Sequence, residues 1–421
     1  MRIVIMIAIF CVSFLQADAT IKITKKIKKN PSIVVANSSD ASIDVELNRK
    51  FLKLLIGDLK VSASFKVSEN YIEAPFESSD LIGELVKNNT QLLVKCKLEE
   101  NAGKLYAKVK LLNAQNGSLV HAEDYMISKR KRYPFLAHNI AIDINKKFGT
   151  STIAWMNKYI VFAKYTSTGK SSIIVSDYTL SYKKTLVSGG LNIFPKWANA
   201  EQDSIYYTSY NHGKPTLFLL NLYSGVKTKI ASSSGMMVCS DVSDDGNKLL
   251  LTMAPNDQPD IYLYNRNTGS KKRITKYRGV DVSGSFVDND TGVVFISERL
   301  GYPNIFHTDI NGGKVEQMVY HGKNNSSCTS SGNYIVYSSR EKQSAMGRSV
   351  FNLYLISTQT DFIRKLTSNG KNMFPRFASD GETVLFIKES GGSSSLGILR
   401  LGANRSFLFP LSAGKIQSID W

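Results

Sequence analysis

The residues of this 421-residue chain that could do chemistry fall into three groups. Acidic turns come first: Asp241-Val242-Ser243-Asp244-Asp245-Gly246 and Asp288-Asn289-Asp290-Thr291-Gly292 look like the first half of a calcium-binding loop. Such a loop closes on a bidentate glutamate at its twelfth position. Counted from Asp241 that position is Thr252, so a cation would lack its main ligand. The turn recurs as Ala378-Ser379-Asp380-Gly381, where Asp-Gly supplies a tight hairpin between two strands. Nucleophiles come second. No Gly-x-Ser-x-Gly elbow is present, and the serine-rich run from Gly391 to Gly397 has the wrong spacing for one. Thiols and imidazoles come third. Cys96, Cys239 and Cys328 include no Cys-x-x-Cys and read as small buried hydrophobes. His121 and His138 each stand without a carboxylate or thiol at ligand spacing. No catalytic residue, metal or cofactor is expected, and the chain reads as a binding protein rather than an enzyme.

The elements around these residues repeat. Gly190, Gly235, Gly279, Gly322, Gly370 and Gly414 are separated by 45, 44, 43, 48 and 44 residues. Apolar strands recur between them in a fixed order, as in Lys248 to Thr252, Asp260 to Asn265 and Lys272 to Thr275. A period of that length carrying about four short strands predicts a β-propeller, because one blade alone cannot bury its own faces. Residues 158 to 189 lack a first strand, and Lys415-Ile416-Gln417-Ser418-Ile419-Asp420-Trp421 matches Asn192-Ile193-Phe194-Pro195-Lys196-Trp197 in distance from its glycine and in its terminal tryptophan. The expected architecture is therefore a six-bladed propeller over 148–421, closed by the C-terminal strand.

Residues 20–147 read as a separate small α/β domain, giving an α+β multidomain chain. Ser32 to Ala36 is a strand. A helix follows with Ile43, Leu47, Phe51, Leu54, Leu55 and Leu59 largely on one face and Ser42 and Glu46 near its start. Asp80 can cap a shorter helix carrying Leu81, Ile82, Leu85 and Val86. Strands at 91–98, 104–112 and 118–127 follow, the last after the Asn116-Gly117 turn, and a helix starts at Pro134.

Residues 1–19 read as a secretory signal peptide, with Arg2, an apolar run of 13 residues from Ile3 to Leu15, and Ala17-Asp18-Ala19 before the cut. That run is shorter than the roughly 20 residues a spanning helix needs, so no membrane span is expected. The formal charge is +18, with 22 Lys and Arg against 14 Asp and Glu in 20–147 and 30 against 20 in 148–421. Only Lys22, Lys25, Lys26, Lys28 and Lys29 cluster, which suits an acidic partner or anionic surface. Nucleic acid is excluded, since aromatic residues do not interleave with this charge.

What remains is surface. The loops leading into the inner strands should converge on one mouth of the channel. They carry Asn192 and Phe194, Met236 and Met237, Asp281 and Val282, Asn324 and Asn325, and Asn372 and Phe374, a set suited to docking a protein. The alternative for Phe194 and Phe374 is packing between blades.

Several phrases resemble the TolB family: Val175-Ser176-Asp177-Tyr178, Phe194-Pro195-Lys196-Trp197, Phe374-Pro375-Arg376-Phe377, and Phe295-Ile296-Ser297-Glu298-Arg299-Leu300-Gly301-Tyr302-Pro303-Asn304-Ile305-Phe306 followed by Ile310-Asn311-Gly312-Gly313. The family's Ser-Pro-Asp-Gly turn lacks its proline here, at Ser243-Asp244-Asp245-Gly246. The resemblance implies a monomeric periplasmic component of the Tol-Pal envelope system. Such a component docks a Pal-like peptidoglycan-associated lipoprotein at the propeller mouth. It also communicates with a TolA-like inner-membrane protein through its N-terminal domain and an arm, here Thr20, Ile21, Lys22, Ile23 and Thr24, and so supports outer-membrane integrity and constriction during division. Two rival readings are an accessory propeller of an oligopeptidase-like hydrolase, which predicts the missing nucleophile elbow, and an envelope glycan-binding propeller, which predicts aromatic platforms at the mouth.

Overall fold

Ile33 and Val35 of the first strand, β1 (Ser32–Asn37), face one apolar cluster, and Val34 and Ala36 face another. A strand apolar on both faces belongs inside a sheet, and β1 is placed there. The computed structural model describes residues 30–78, 81–148, 151–342 and 349–421. On one side β1 pairs in parallel with the short strands β2 (Lys66–Val67) and β3 (Ile72–Glu73). On the other it pairs in parallel with β4 (Leu92–Asn101), and antiparallel β5 (Lys104–Asn113) and β6 (Leu119–Ile127) complete the sheet. Helices α1 (Val45–Ser62) and α3 (Tyr133–Lys147) cover one face, where Phe51, Leu55 and Leu59 meet Leu136, Ile140 and Ile144. The short α2 (Ile82–Lys87) sends Leu85 into the smaller cluster on the other face. Asp44 caps α1, its Oδ1 accepting the Leu47 amide at 2.7 Å, where the sequence drew attention to Ser42. Asp80, expected to cap α2, lies outside the described residues.

From Ile160 onward the chain is made of antiparallel four-stranded sets. β7 (Ile160–Ser167), β8 (Lys170–Ser176) and β9 (Lys183–Val187) take their fourth member from the far end of the chain: Lys415–Asp420 pairs with β7, joining Ser418 to Ala163 and Asp420 to Val161. Three more sets span 192–232, 237–273 and 281–317. The sets at 323–365 and 371–410 merge into one eight-stranded sheet through a single parallel pairing, Phe351 with Lys371. Neighbouring sets share cores. Val161, Ala163 and Ile173 pack with Ile193, Trp197 and Ile205, and Tyr206 and Leu217 pack with Met237 and Leu249.

Each first strand of a set breaks register with its neighbour partway along: between Ile193 and Lys196, Cys239 and Asp241, Val282 and Ser285, Asn325 and Ser327, Met373 and Arg376, and Ile416 and Ser418. A bulge of this kind bends a strand and frees a backbone amide. Those amides are taken by the preceding set. Trp197 N donates to Asp420 Oδ2 at 2.9 Å, Phe286 N to Asp241 Oδ2 at 2.9 Å, and Phe377 N to Thr329 Oγ1 at 3.3 Å. The acidic turn serves the chain itself: Asp245 accepts from Ser243 Oγ at 2.6 Å and Asn247 N at 2.9 Å, which hold its carboxyl down at about 2.

The C-terminal residue anchors its strand from outside. Trp421 is half-buried, donates from Nε1 to Phe377 O at 2.9 Å, and lies 5.3 Å from the Trp155 ring. Trp421→Ala is expected to lower the unfolding free energy by about 2 kcal/mol, less than for a fully buried indole. Urea unfolding of residues 20–421 reads this directly, and an unchanged midpoint would show that the indole does not hold the strand.

Candidate functional site

The bulges aim side chains into one shared cup. A cavity of about 170 Å³ takes one wall residue from each inner strand: Phe194, Val238, Val282, Cys328, Phe374 and Ile419, with Met236 beside them. Phe194 and Phe374 also pack on the cores between sets, as the packing alternative expected, while lining the cup. Their backbones are strained. Phe194 has φ 55° and Phe374 φ 53°, with Ser283 at φ 57° in the corresponding place. A bulky residue held there costs on the order of 1–2 kcal/mol. Cross-set hydrogen bonds hold the turns: Phe194 N to Ser418 Oγ at 3.2 Å, Phe374 N to Ser327 Oγ at 3.1 Å and Ser283 N to Thr252 Oγ1 at 3.2 Å.

Charge lies deeper in the channel. Lys196 Nζ is 2.9 Å from Asp241 and 3.0 Å from Asp420, and Arg376 Nε is 3.7 Å from Asp420. Burial alone would lower the Lys196 pKa, but Asp241 and then Asp420 hold it above the ordinary lysine value. Burial would likewise raise Asp241, but Lys196, the Phe286 amide and Arg376 together hold that carboxyl below its usual range. Cys239 and Cys328 border the cup but pack in the cores between sets, and burial pushes both thiols far up, Cys328 to about 12. At neutral pH they are thiols, not nucleophiles. The arrangement can grip apolar side chains over a neutralised polar floor.

The residues expected at the mouth divide into two groups. Met236 is 38% exposed and lines the cup, and half-buried Val282 joins it. Asn324 is half-buried with φ 60°. Met237, expected among exposed loop residues, is fully buried between sets with Tyr206 and Leu217, because alternation along a strand turns it away from its neighbour Met236. Asp281 is also fully buried, 3.2 Å from Arg299. Asn192, Asn325 and Asn372 are buried and work locally: their Nδ2 groups donate to Gly189 O at 2.7 Å, His321 O at 3.2 Å and Asn369 O at 2.8 Å, closing the turn into each strand. The arm Thr20, Ile21, Lys22, Ile23 and Thr24 lies outside the described residues.

A second constellation went unread in the sequence. His138 on α3 does have carboxylate partners, but they come from distant segments. Its Nδ1 lies 2.7 Å from Asp58 on α1, and its Nε2 lies 3.5 Å from Asp177 after β8, an ion pair too long for a well-formed hydrogen bond. Tyr178 donates its hydroxyl to the other oxygen of Asp58. Asp177 also accepts from Thr179 N at 2.9 Å and from Tyr182 N. All four side chains are buried, joining α1 and α3 to the first propeller set. Burial alone would lower the His138 pKa, but Asp58, followed by Asp177, raises it to about 9.

Because this folded value lies above the usual histidine value of about 6.5, the stabilisation from the His138 proton is complete below that pH and is lost as pH rises through about 9. The other titrating neighbours are Asp58, Asp177, Tyr178 and Tyr133, and the last two have phenols raised by burial. His138→Gln is expected to flatten the fall in unfolding free energy from urea titrations between pH 6.5 and 9.5, a difference of up to about 3 kcal/mol. Parallel curves for the two proteins would remove the junction from the pH response.

Comparison with known proteins follows the same lines. Residues 150–421 match the family described as TolB beta propeller domain. The chain is 47% identical over 423 residues to the Tol-Pal system protein TolB of Wolinella succinogenes and 45% identical over 421 residues to that of Campylobacter jejuni, with 100% of each chain covered. The crystal structure of TolB from Acinetobacter baumannii shares the fold at a TM-score of 0.76 and 19% identity, covering 92% of this chain and 96% of that one. The chain belongs to the TolB family, whose members are non-enzymatic components of the Tol-Pal system with a β-propeller fold.

Proposed function

We propose that this protein is a periplasmic docking component of the Tol-Pal envelope system. Residues 1–19 form its signal peptide, 20–147 an α/β domain, and 148–421 a propeller of six blades in which strand 415–420 completes the first blade. A Pal-like peptidoglycan-associated lipoprotein docks at the mouth, and a TolA-like inner-membrane protein is met through the N-terminal domain and its arm. These two contacts support outer-membrane integrity and constriction during division. Among the described residues no helix is long and apolar enough to cross a membrane.

The observation that supports this reading is the apolar cup, to which every inner strand contributes and whose rim carries the exposed thioether of Met236. Thioethers and aromatic rings around a concave centre, with cations neutralised below them, favour burial of a partner's apolar side chains. The test is calorimetric titration of residues 20–421 with the Pal protein of the same organism. One-to-one binding is expected, weakened at least about tenfold by Met236→Asp or Val282→Asp, since each buries a carboxylate under the partner. Met237→Asp is no substitute, because that side chain supports the fold. A flat titration with folded protein would overturn the proposal.

A further inference from the structure

Among the described residues most outer sheet edges carry cations; the two-residue strand Glu316–Gln317 and the much longer β6 do not. The outer strands of the repeat region hold Lys183 and Lys184, Lys227 and Lys229, Lys271 to Arg273, Arg364 and Lys365, and Arg405. Lysine and arginine at an edge discourage a stray strand from pairing there. β6 forms the outer edge of the N-terminal sheet and reads Leu-Val-His-Ala-Glu-Asp-Tyr-Met-Ile, with no lysine, arginine or proline over nine residues. Leu119 is 59% exposed, Val120 43% and Met126 52%. Glu123 and Asp124 meet no cation within ion-pair distance among the described residues, although nearby Glu99 and Glu100 are paired with Lys108 and Arg130. The strand is firmly held. It pairs with β5 along its length, Tyr125 donates to Asp143 on α3 at 3.0 Å, and Tyr125 and Ile127 pack on the main core.

We propose that β6 is a docking edge that takes up an extended, basic segment of a partner protein as an added strand. Main-chain hydrogen bonds would supply the pairing, and alternate side chains the selectivity. Ala122, Asp124 and Met126 share the face turned away from α1 and α3 and Glu123 lies on the other, so the fitting segment sets cations among apolar residues. A second copy of this chain fits poorly. Antiparallel self-pairing centred between Glu123 and Asp124 sets each of these acids against the other, and like charges placed opposite each other destabilise a ladder. The inference is independent of the mouth and of what docks there.

The probe is a synthetic peptide alternating valine and lysine, mixed with residues 20–421 and followed by hydrogen exchange and titration. Saturable binding is expected to slow amide exchange within residues 119–127, to weaken as salt rises, and to fall at least tenfold in the double variant Glu123→Lys/Asp124→Lys. Val120→Lys, which restores a protecting cation without touching the acids, is expected to weaken it as well and serves if the double variant fails to fold. Exchange unchanged at saturating peptide, or an affinity indifferent to both variants, overturns the proposal. So does sedimentation showing that the protein alone dimerises and protects the same amides.

Discussion

A four-stranded sheet has two apolar faces and can cover neither by itself. In residues 160–420 that constraint is met by making every face the lid of the next set, so that Val161 and Ile173 bury Ile193 and Ile205, and Tyr206 buries Met237 in turn. The pairing of Lys415–Asp420 with β7 belongs to the same economy, because an unpaired β7 would leave a template for foreign strands. Backbone details follow from it too. Strands that converge on a channel cannot keep perfect register with neighbours that diverge outward, and the repeated bulge absorbs the mismatch. The amides that the bulges release are not wasted, since Asp420, Asp241 and Thr329 of adjoining sets accept them.

The same bulges create the site. A regular strand would alternate its side chains between the two faces of its own sheet, whereas a strand with a residue in the left-handed region can point a ring down the channel. The cup and its polar floor depend on each other in this arrangement. Lys196 and Arg376 would be costly to bury unpaired, and Asp241 and Asp420 neutralise them while also accepting hydrogen bonds from neighbouring strands. The buried His138 junction repeats the principle elsewhere, with one cation between two carboxylates and most remaining oxygens engaged.

The glycine ruler made the repeat legible, and the Trp197 and Trp421 correspondence located the strand that pairs with β7. Parity was harder to read. Met236 and Met237 differ by one position, and one position on a strand is the difference between channel and core. A ruler good to about a residue cannot decide that. The burial of Asn192, Asn325 and Asn372 was hidden for another reason: a short amide at the start of a strand satisfies its own turn as readily as it meets a partner. His138 was opaque because its partners are tertiary. Asp58 is 80 residues distant, and no local spacing connects them. The helix carrying Leu47 to Leu59 and the strand positions in 92–127 were open to sequence reasoning, since periodicity and alternation govern them, whereas its cap at Asp44 was passed over for Ser42.

Phe194 and Phe374 carry a further implication for how such a chain can change over evolutionary time. Their backbone geometry is one in which glycine is at ease and a large aromatic residue is not. Replacement by glycine would relax the backbone while stripping the ring from the cup. It would also empty the place each ring fills against the cores between sets, a loss of roughly 3 kcal/mol or more that outweighs the relief. These two rings are therefore kept by what they fill, and the awkward backbone beneath them is the smaller of the two effects.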